Sequence, residues 1–113
     1  MTAKRMPLTS PNIAIIGTGP AALMAADRLA KAGCAITLFE KRSGIAWKLF
    51  VAGSSGLNIT NDMSLDSFIT EYTGPSPHWR DCLSNFSNQA WLHFLEQDLE
   101  QETFLGTSGR YFV

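Results

Sequence analysis

The chain has 113 residues and a net charge of −1, with 45% apolar and 17% charged residues. That balance excludes disordered and collagen-like classes, and the length allows one domain at most. The only adjacent basic pairs are Lys4-Arg5 and Lys41-Arg42, so nothing in the charge pattern points to nucleic acid or an anionic membrane as a main partner.

Residues 1–11 read as a short flexible lead. Lys4 and Arg5 precede an apolar run in a way that superficially resembles a signal peptide, but Gly17-Thr18-Gly19-Pro20 interrupts the run. No uninterrupted apolar segment reaches the roughly 18 residues that cross a bilayer, and the expected location is the cytoplasm.

From Asn12 the pattern is regular: an apolar run Ile13-Ala14-Ile15-Ile16, a turn Gly17-Thr18-Gly19-Pro20-Ala21-Ala22, a small-residue helix over about Pro20 to Lys31, and a second apolar run Ala35 to Phe39 ending in Glu40. Each position fits the binding of a dinucleotide. Gly17 permits the sharp exit from the first strand, Gly19 lets the backbone approach a pyrophosphate, and Ala22 is small enough for the helix to lie on the strand. Pro20 suits the first helical turn, where its missing N–H has no partner to lose. The helix N-terminus faces the phosphates. Glu40 falls about twenty positions after the first glycine, where a carboxylate accepts hydrogen bonds from an adenosine ribose and repels a 2′-phosphate. Gly33 is the expected helix stop.

Gly53-Ser54-Ser55-Gly56 makes a donor-rich turn, followed by Asn58 and Thr60 at alternating positions. Backbone N–H groups and such side chains together can cradle a polar ligand.

These segments carry a family resemblance. The Gly17 to Ala22 turn resembles the flavoprotein form Gly-Gly-Gly-Pro-Ala-Gly. Lys48 to Asn61 is similar to the segment R-K-x-L-x-(A/S)-G-x-x-G-x-N-x-T-(N/H) of bacterial aminoacetone-oxidase-type (BaiN-like) NAD(P)/FAD-dependent flavoproteins. Phe104 to Phe112 is similar to that family's F-x-G-(S/T)-S-G-R-V-F-P. Two departures stand out: Thr18 and Ala22 replace glycines, and Trp47 stands where the family pattern usually has arginine, removing a charge that would serve a phosphate or the flavin.

The remainder is helical in pattern. Leu65, Phe68, Ile69 and Tyr72 follow helical spacing behind a Ser64 N-cap. Gly74-Pro75-Ser76-Pro77 stops that helix. Trp79, Cys82, Leu83 and Phe86 form a second, and about Ser87 to Gln101 a third. Tyr111-Phe112-Val113 is a β-like run. His78 and His93 have no nucleophile or acid at a suggestive spacing, so no catalytic residue is assigned. Cys34 and Cys82 read as two buried free thiols, and no metal-ligand spacing is present. Arg110 follows a turn that exposes it, and the resemblance implies a role lining the flavin or substrate side.

The expected architecture is α/β: an incomplete Rossmann-like FAD-binding domain, a βαβ unit over 12–61 with its Gly/Ser-rich loop, followed by a mainly helical segment over 62–113. The expected cofactor is FAD, held by Gly17, Gly19, Pro20, Ala21, Ala22 and Glu40 at the ADP moiety. Lys41, Lys48, Ser54, Ser55, Asn58 and Thr60 are expected near the phosphates or the flavin. The expected function is the N-terminal ADP-binding part of a flavin-dependent oxidoreductase, inactive alone. The full-length protein would act on an unknown small molecule, with no nucleic-acid or membrane partner, and the fragment would be prone to self-association through exposed sheet edges. The alternatives are a non-enzymatic nucleotide-binding or interaction module and the NAD-binding domain of a dehydrogenase.

Overall fold

A computed structural model describes residues 10–53, 56–74 and 77–113. The expected lead at 1–9, the serines Ser54 and Ser55, and the Pro75-Ser76 part of the helix stop lie outside the described residues. The chain divides into two compact units, Met1–Ala52 and Gly53–Val113.

The first unit is the βαβ arrangement. Strand β1 (Asn12–Ile16) pairs in parallel with β2 (Ala35–Phe39), from Asn12 opposite Ala35 to Ile16 opposite Phe39. Helix α1 (Pro20–Lys31) connects them and packs on both. Parallel partners point the same way at each register position, so Ile13, Ile15 and Ile36 share one face and are half-buried. Ala14, Ile16, Thr37 and Phe39 share the other, which is open: Ile16 is 89% exposed. Parallel sheets are ordinarily covered on both faces, and here one face is bare.

Helix α1 starts and stops where the residue types require. Pro20 sits at its first turn and Gly19 at its N-cap. At the other end the N–H of Gly33 donates to Ala30 O at 2.9 Å and that of Cys34 to Leu29 O at 3.0 Å. This is a Schellman cap, and Gly33 adopts the φ of +87° that it needs. A short helix α2 (Trp47–Ala52) closes the unit.

The second unit contains a small antiparallel sheet in the order β3 (Asn58–Asn61), β5 (Arg110–Phe112), β4 (Phe104–Leu105). A bulge between Asn58 and Thr60 interrupts the β3–β5 register. The helices α3 (Leu65–Thr70), α4 (Trp79–Asn85) and α5 (Asn88–His93) follow β3. Ser64 and Ser87 cap α3 and α5 with their hydroxyls, accepting from the Ser67 and Ala90 N–H groups at 3.3 and 3.1 Å. The buried apolar residues among those described are Leu83, Leu92, Phe94 and Leu95, all in this unit. Stacked and edge-on rings extend that core: Phe68, Tyr72 and Trp79 on one side, Phe86, Trp91 and Phe94 on the other.

The α/β class, the βαβ unit and the mainly helical continuation stand as expected. Three local features differ. The third helix is not continuous to Gln101; after His93 it widens into a π-helical turn, Phe94–Asp98, where Leu99 N–H reaches back five residues to Phe94 O. The wider turn carries the consecutive Phe94 and Leu95 both into the core. The segment Gly53 to Asn61, grouped above with the βαβ unit, falls in the second unit, because β3 finds its hydrogen-bond partner in β5. The cysteines are free, but Cys34 is only half-buried and Cys82 is exposed. Among the described residues no helix is long and apolar enough to cross a membrane.

Candidate nucleotide-binding site

The site lies in the first unit, where β1 ends and α1 begins. Gly17 has φ of +95°, a conformation that a side chain would strain. Its N–H donates to Phe39 O at 2.7 Å, which ties the turn to the end of the neighbouring strand. Gly19 is different: its φ is −72°, and a Cβ built there would meet nothing within 4 Å. The space above Gly19 is therefore open to a ligand. Gly19 brings no side-chain cap to the helix, so the N–H groups of Ala21 and Ala22 in the first turn of α1 are available to an anion, with the helix dipole behind them.

Glu40 follows β2 directly, and its carboxylate is held on both oxygens. Oε2 accepts from the Thr18 N–H at 3.1 Å and from the Thr18 hydroxyl at 2.5 Å; Oε1 accepts from the Arg42 N–H at 3.0 Å. These bonds favour the charged form. The Thr18 hydroxyl, first, and the Arg42 N–H, second, draw the carboxyl below its ordinary value, and desolvation opposes them. The Thr18 oxygen in turn accepts from the Ala46 N–H at 3.1 Å. Thr18 is 2% exposed, and it is the buried residue of this unit among those described.

A cavity of about 310 Å³ opens beside this network, lined by Thr18, Gly19, Glu40, Arg42, Trp47 and Lys48. The Arg42 guanidinium carbon lies 5.5 Å from the centre of the Trp47 ring, within cation–π range. Arg42 and Lys48 place two positive charges at this cavity. One acid, two cations, a bare glycine and a helix N-terminus form a donor set suited to a diphosphate next to a ribose.

The structure brings together Gly17, Gly19, Pro20, Ala21, Ala22, Glu40 and Lys48 of the expected site, with Lys41 exposed next to Glu40. Asn58 and Thr60 stand on β3 in the second unit, where Thr60 lines a cavity of about 310 Å³ walled by Phe68, Tyr72 and Trp91. Ser54 and Ser55 lie outside the described residues. Arg110 is exposed at the start of β5, and His78 and His93 are exposed on the helices. Among the described residues no group of three metal-binding side chains occurs. Arg42 and Ala46 join this network although no sequence motif marks them, and Thr18 and Trp47, marked above only as departures from the family pattern, line the cavity. The available signal was the hydroxyl at a turn position that is glycine in the flavoprotein form.

A parallel βαβ unit with an open glycine at the helix start and a carboxylate at the end of the second strand is a Rossmann-type nucleotide-binding architecture. The chain matches the family described as the HI0933-like protein Rossmann domain over residues 11–113 and belongs to that family. It is 35% identical over 89 residues to the ribosomal RNA dihydrouridine synthase of Haemophilus influenzae, a match covering 78% of this chain and 21% of that protein. The chain therefore spans about a fifth of the length of this curated relative. The aminoacetone-oxidase branch is not singled out by these matches.

Proposed function

We propose that this chain is the ADP-binding part of an FAD-dependent oxidoreductase of the cytoplasm, inactive in reduction on its own. The observation that carries the reading is the open Gly19 at the start of α1, within one cavity of the Glu40 carboxylate. In this reading the N–H groups of Ala21 and Ala22 bind the pyrophosphate, Lys48 and Arg42 neutralise it, and Glu40 accepts from the ribose. Glu40 is charged at neutral pH as any ordinary carboxyl is, the bonds from Thr18 and Arg42 extend that charge to lower pH, and the charge disfavours a 2′-phosphate. Bound flavin would supply two-electron reduction, and the chain would supply binding and orientation.

The relative's name adds a substrate class for the whole protein: a uridine in ribosomal RNA. Reducing uridine to dihydrouridine adds a hydride and a proton across the C5–C6 double bond, which suits a flavin. This stretch has net charge −1 and isolated basic pairs, so in this reading a polyanionic RNA is held by other parts of the protein. Dihydrouridine content of ribosomal RNA from cells lacking the gene tests this substrate; unchanged content returns the choice to a small molecule.

The cofactor is tested by calorimetric titration of the purified chain with FAD, ADP and NADH. Binding of FAD and ADP, lost in Gly19→Leu, is expected. Tight NADH binding with no response to FAD would overturn the flavin reading in favour of a dehydrogenase-type NAD site. No response to any of the three would favour an interaction module.

A further inference from the structure

We infer that Thr18 is a positioning residue that locks the Glu40 carboxylate, and the loop from Arg42 to Ala46, in the ligand-receiving arrangement. The inference rests on the nucleotide-binding reading above and adds to it a residue whose flavoprotein counterpart carries no side chain.

The Thr18 hydroxyl occupies the centre of a three-part junction. It donates to Glu40 Oε2 at 2.5 Å and accepts from the Ala46 N–H at 3.1 Å, so one oxygen joins β1's turn, the end of β2 and the loop before α2. Each contact spans more than twenty residues of chain, and Thr18 itself is 2% exposed. A hydroxyl both donates and accepts, and at this junction both functions are in use. Serine could serve both, valine neither.

Ala46 supplies a second, independent observation. It is not glycine, yet its φ is +54°. An L-residue is held in the left-handed region only where its surroundings fix it. The Ala46 N–H points to the Thr18 oxygen, and the residue after Ala46 is Trp47, whose ring carries Arg42. Thr18 therefore fixes the turn that presents Trp47, Arg42 and Lys48 to the cavity as well as the acid that faces them.

The arrangement also limits what Glu40 can accept. A carboxylate offers about four acceptor sites. Thr18 fills two on Oε2 and the Arg42 N–H one on Oε1, and the Lys41 N–H also acts on the carboxyl, so the capacity left for a ribose hydroxyl is on Oε1.

The test compares wild type, Thr18→Ser and Thr18→Val in the full chain by two readouts. The first is calorimetric affinity for ADP and for inorganic pyrophosphate. Thr18→Ser is expected to bind both as wild type does. Thr18→Val is expected to lose about tenfold in ADP affinity, the scale of a hydrogen bond to a charged group, and clearly less in pyrophosphate affinity, because the glycine turn is intact and only the loop carrying Arg42 and Lys48 is loosened. The second readout needs no nucleotide: carbon-13 NMR titration of the Glu40 carboxyl. The bonds from Thr18 and Arg42 keep Glu40 charged below its ordinary value, and that charge is lost only as pH falls through the lower folded value; removing the hydroxyl should move that titration up in Thr18→Val and leave it in Thr18→Ser. An unchanged Glu40 titration in Thr18→Val overturns the inference. So does equal loss of ADP and pyrophosphate binding, which would mark a general folding role, or failure of Thr18→Ser to match wild type. Wild type that shows the titration shift but binds no ADP overturns the nucleotide reading and leaves the lock standing.

Discussion

The two units of this chain are ordered by different chemistry. In Gly53–Val113 the buried residues are Leu83, Leu92, Phe94 and Leu95, backed by aromatic pairs with ring centres 5.3 to 6.0 Å apart. In Met1–Ala52 the buried residue among those described is a threonine, and Ile16, Phe39, Ile45 and Phe50 are each more than half exposed. The second unit is held by apolar burial. The first is held by strand pairing, a helix cap and the polar junction at Thr18, so its best-defined point is that junction and not a core. Removing a core side chain and removing a site feature should therefore have opposite signatures.

The largest effect is expected from Leu92→Ala. Leu92 is 6% exposed on α5, and deleting its branched end leaves a cavity worth about 2–5 kcal/mol. Urea unfolding followed by tryptophan fluorescence measures it. A loss below about 1 kcal/mol would mean that the second unit does not depend on this core.

Gly19→Leu inverts that pattern. Its φ is ordinary and its Cβ position is empty, so stability should stay within about 0.5 kcal/mol of wild type. Nucleotide affinity should fall by roughly a hundredfold or more, because the side chain fills the space a diphosphate needs. Calorimetry and a thermal melt on the same sample separate the two. A large drop in melting temperature would show that Gly19 serves the fold.

Asn88 is the exception to the apolar rule of the second unit. At 1% exposed, it donates from Nδ2 to the carbonyls of Asn61 and Met63 at 3.1 and 2.9 Å. It thereby ties the start of α5 to the chain leaving β3. Asn88→Ala takes this donor from two part-buried carbonyls, and the expected cost is about 1–3 kcal/mol by urea unfolding.

What the sequence made legible follows the same division. The βαβ unit was readable because each element has a local cause: β-branched runs for the strands, Pro20 and Gly33 for the helix limits, glycines for the turn. The caps Ser64 and Ser87 were readable or implied for the same reason. The β3–β5 pairing was not, since Asn58–Asn61 and Arg110–Phe112 meet across about fifty residues and neither run is strongly apolar. The π-helical turn was hidden because the helical spacing of Trp91, Leu95 and Leu99 looks continuous until Phe94 must also be buried. At the site, Glu40 is legible from its position, whereas Thr18 reads only as a replaced glycine, because its part depends on a hydroxyl meeting two groups distant in sequence.

The smallest expected effect sharpens the comparison most, because it concerns strain and not burial. Ala46 is held at φ of +54° by the junction it donates to. The left-handed conformation costs a non-glycine residue about 1–2 kcal/mol, and glycine removes that cost while adding about 0.5–1 kcal/mol of unfolded-state entropy to be lost. Ala46→Gly should therefore be stabilising by about 0–1.5 kcal/mol net. The same change in the Thr18→Val background should give a different increment, since the N–H has then lost its acceptor, and a double-mutant cycle on thermal melts reads the difference. Equal increments in the two backgrounds would mean that Ala46 is held by something other than Thr18. A destabilising Ala46→Gly would mean that the turn is set by its methyl group and not by its hydrogen bond.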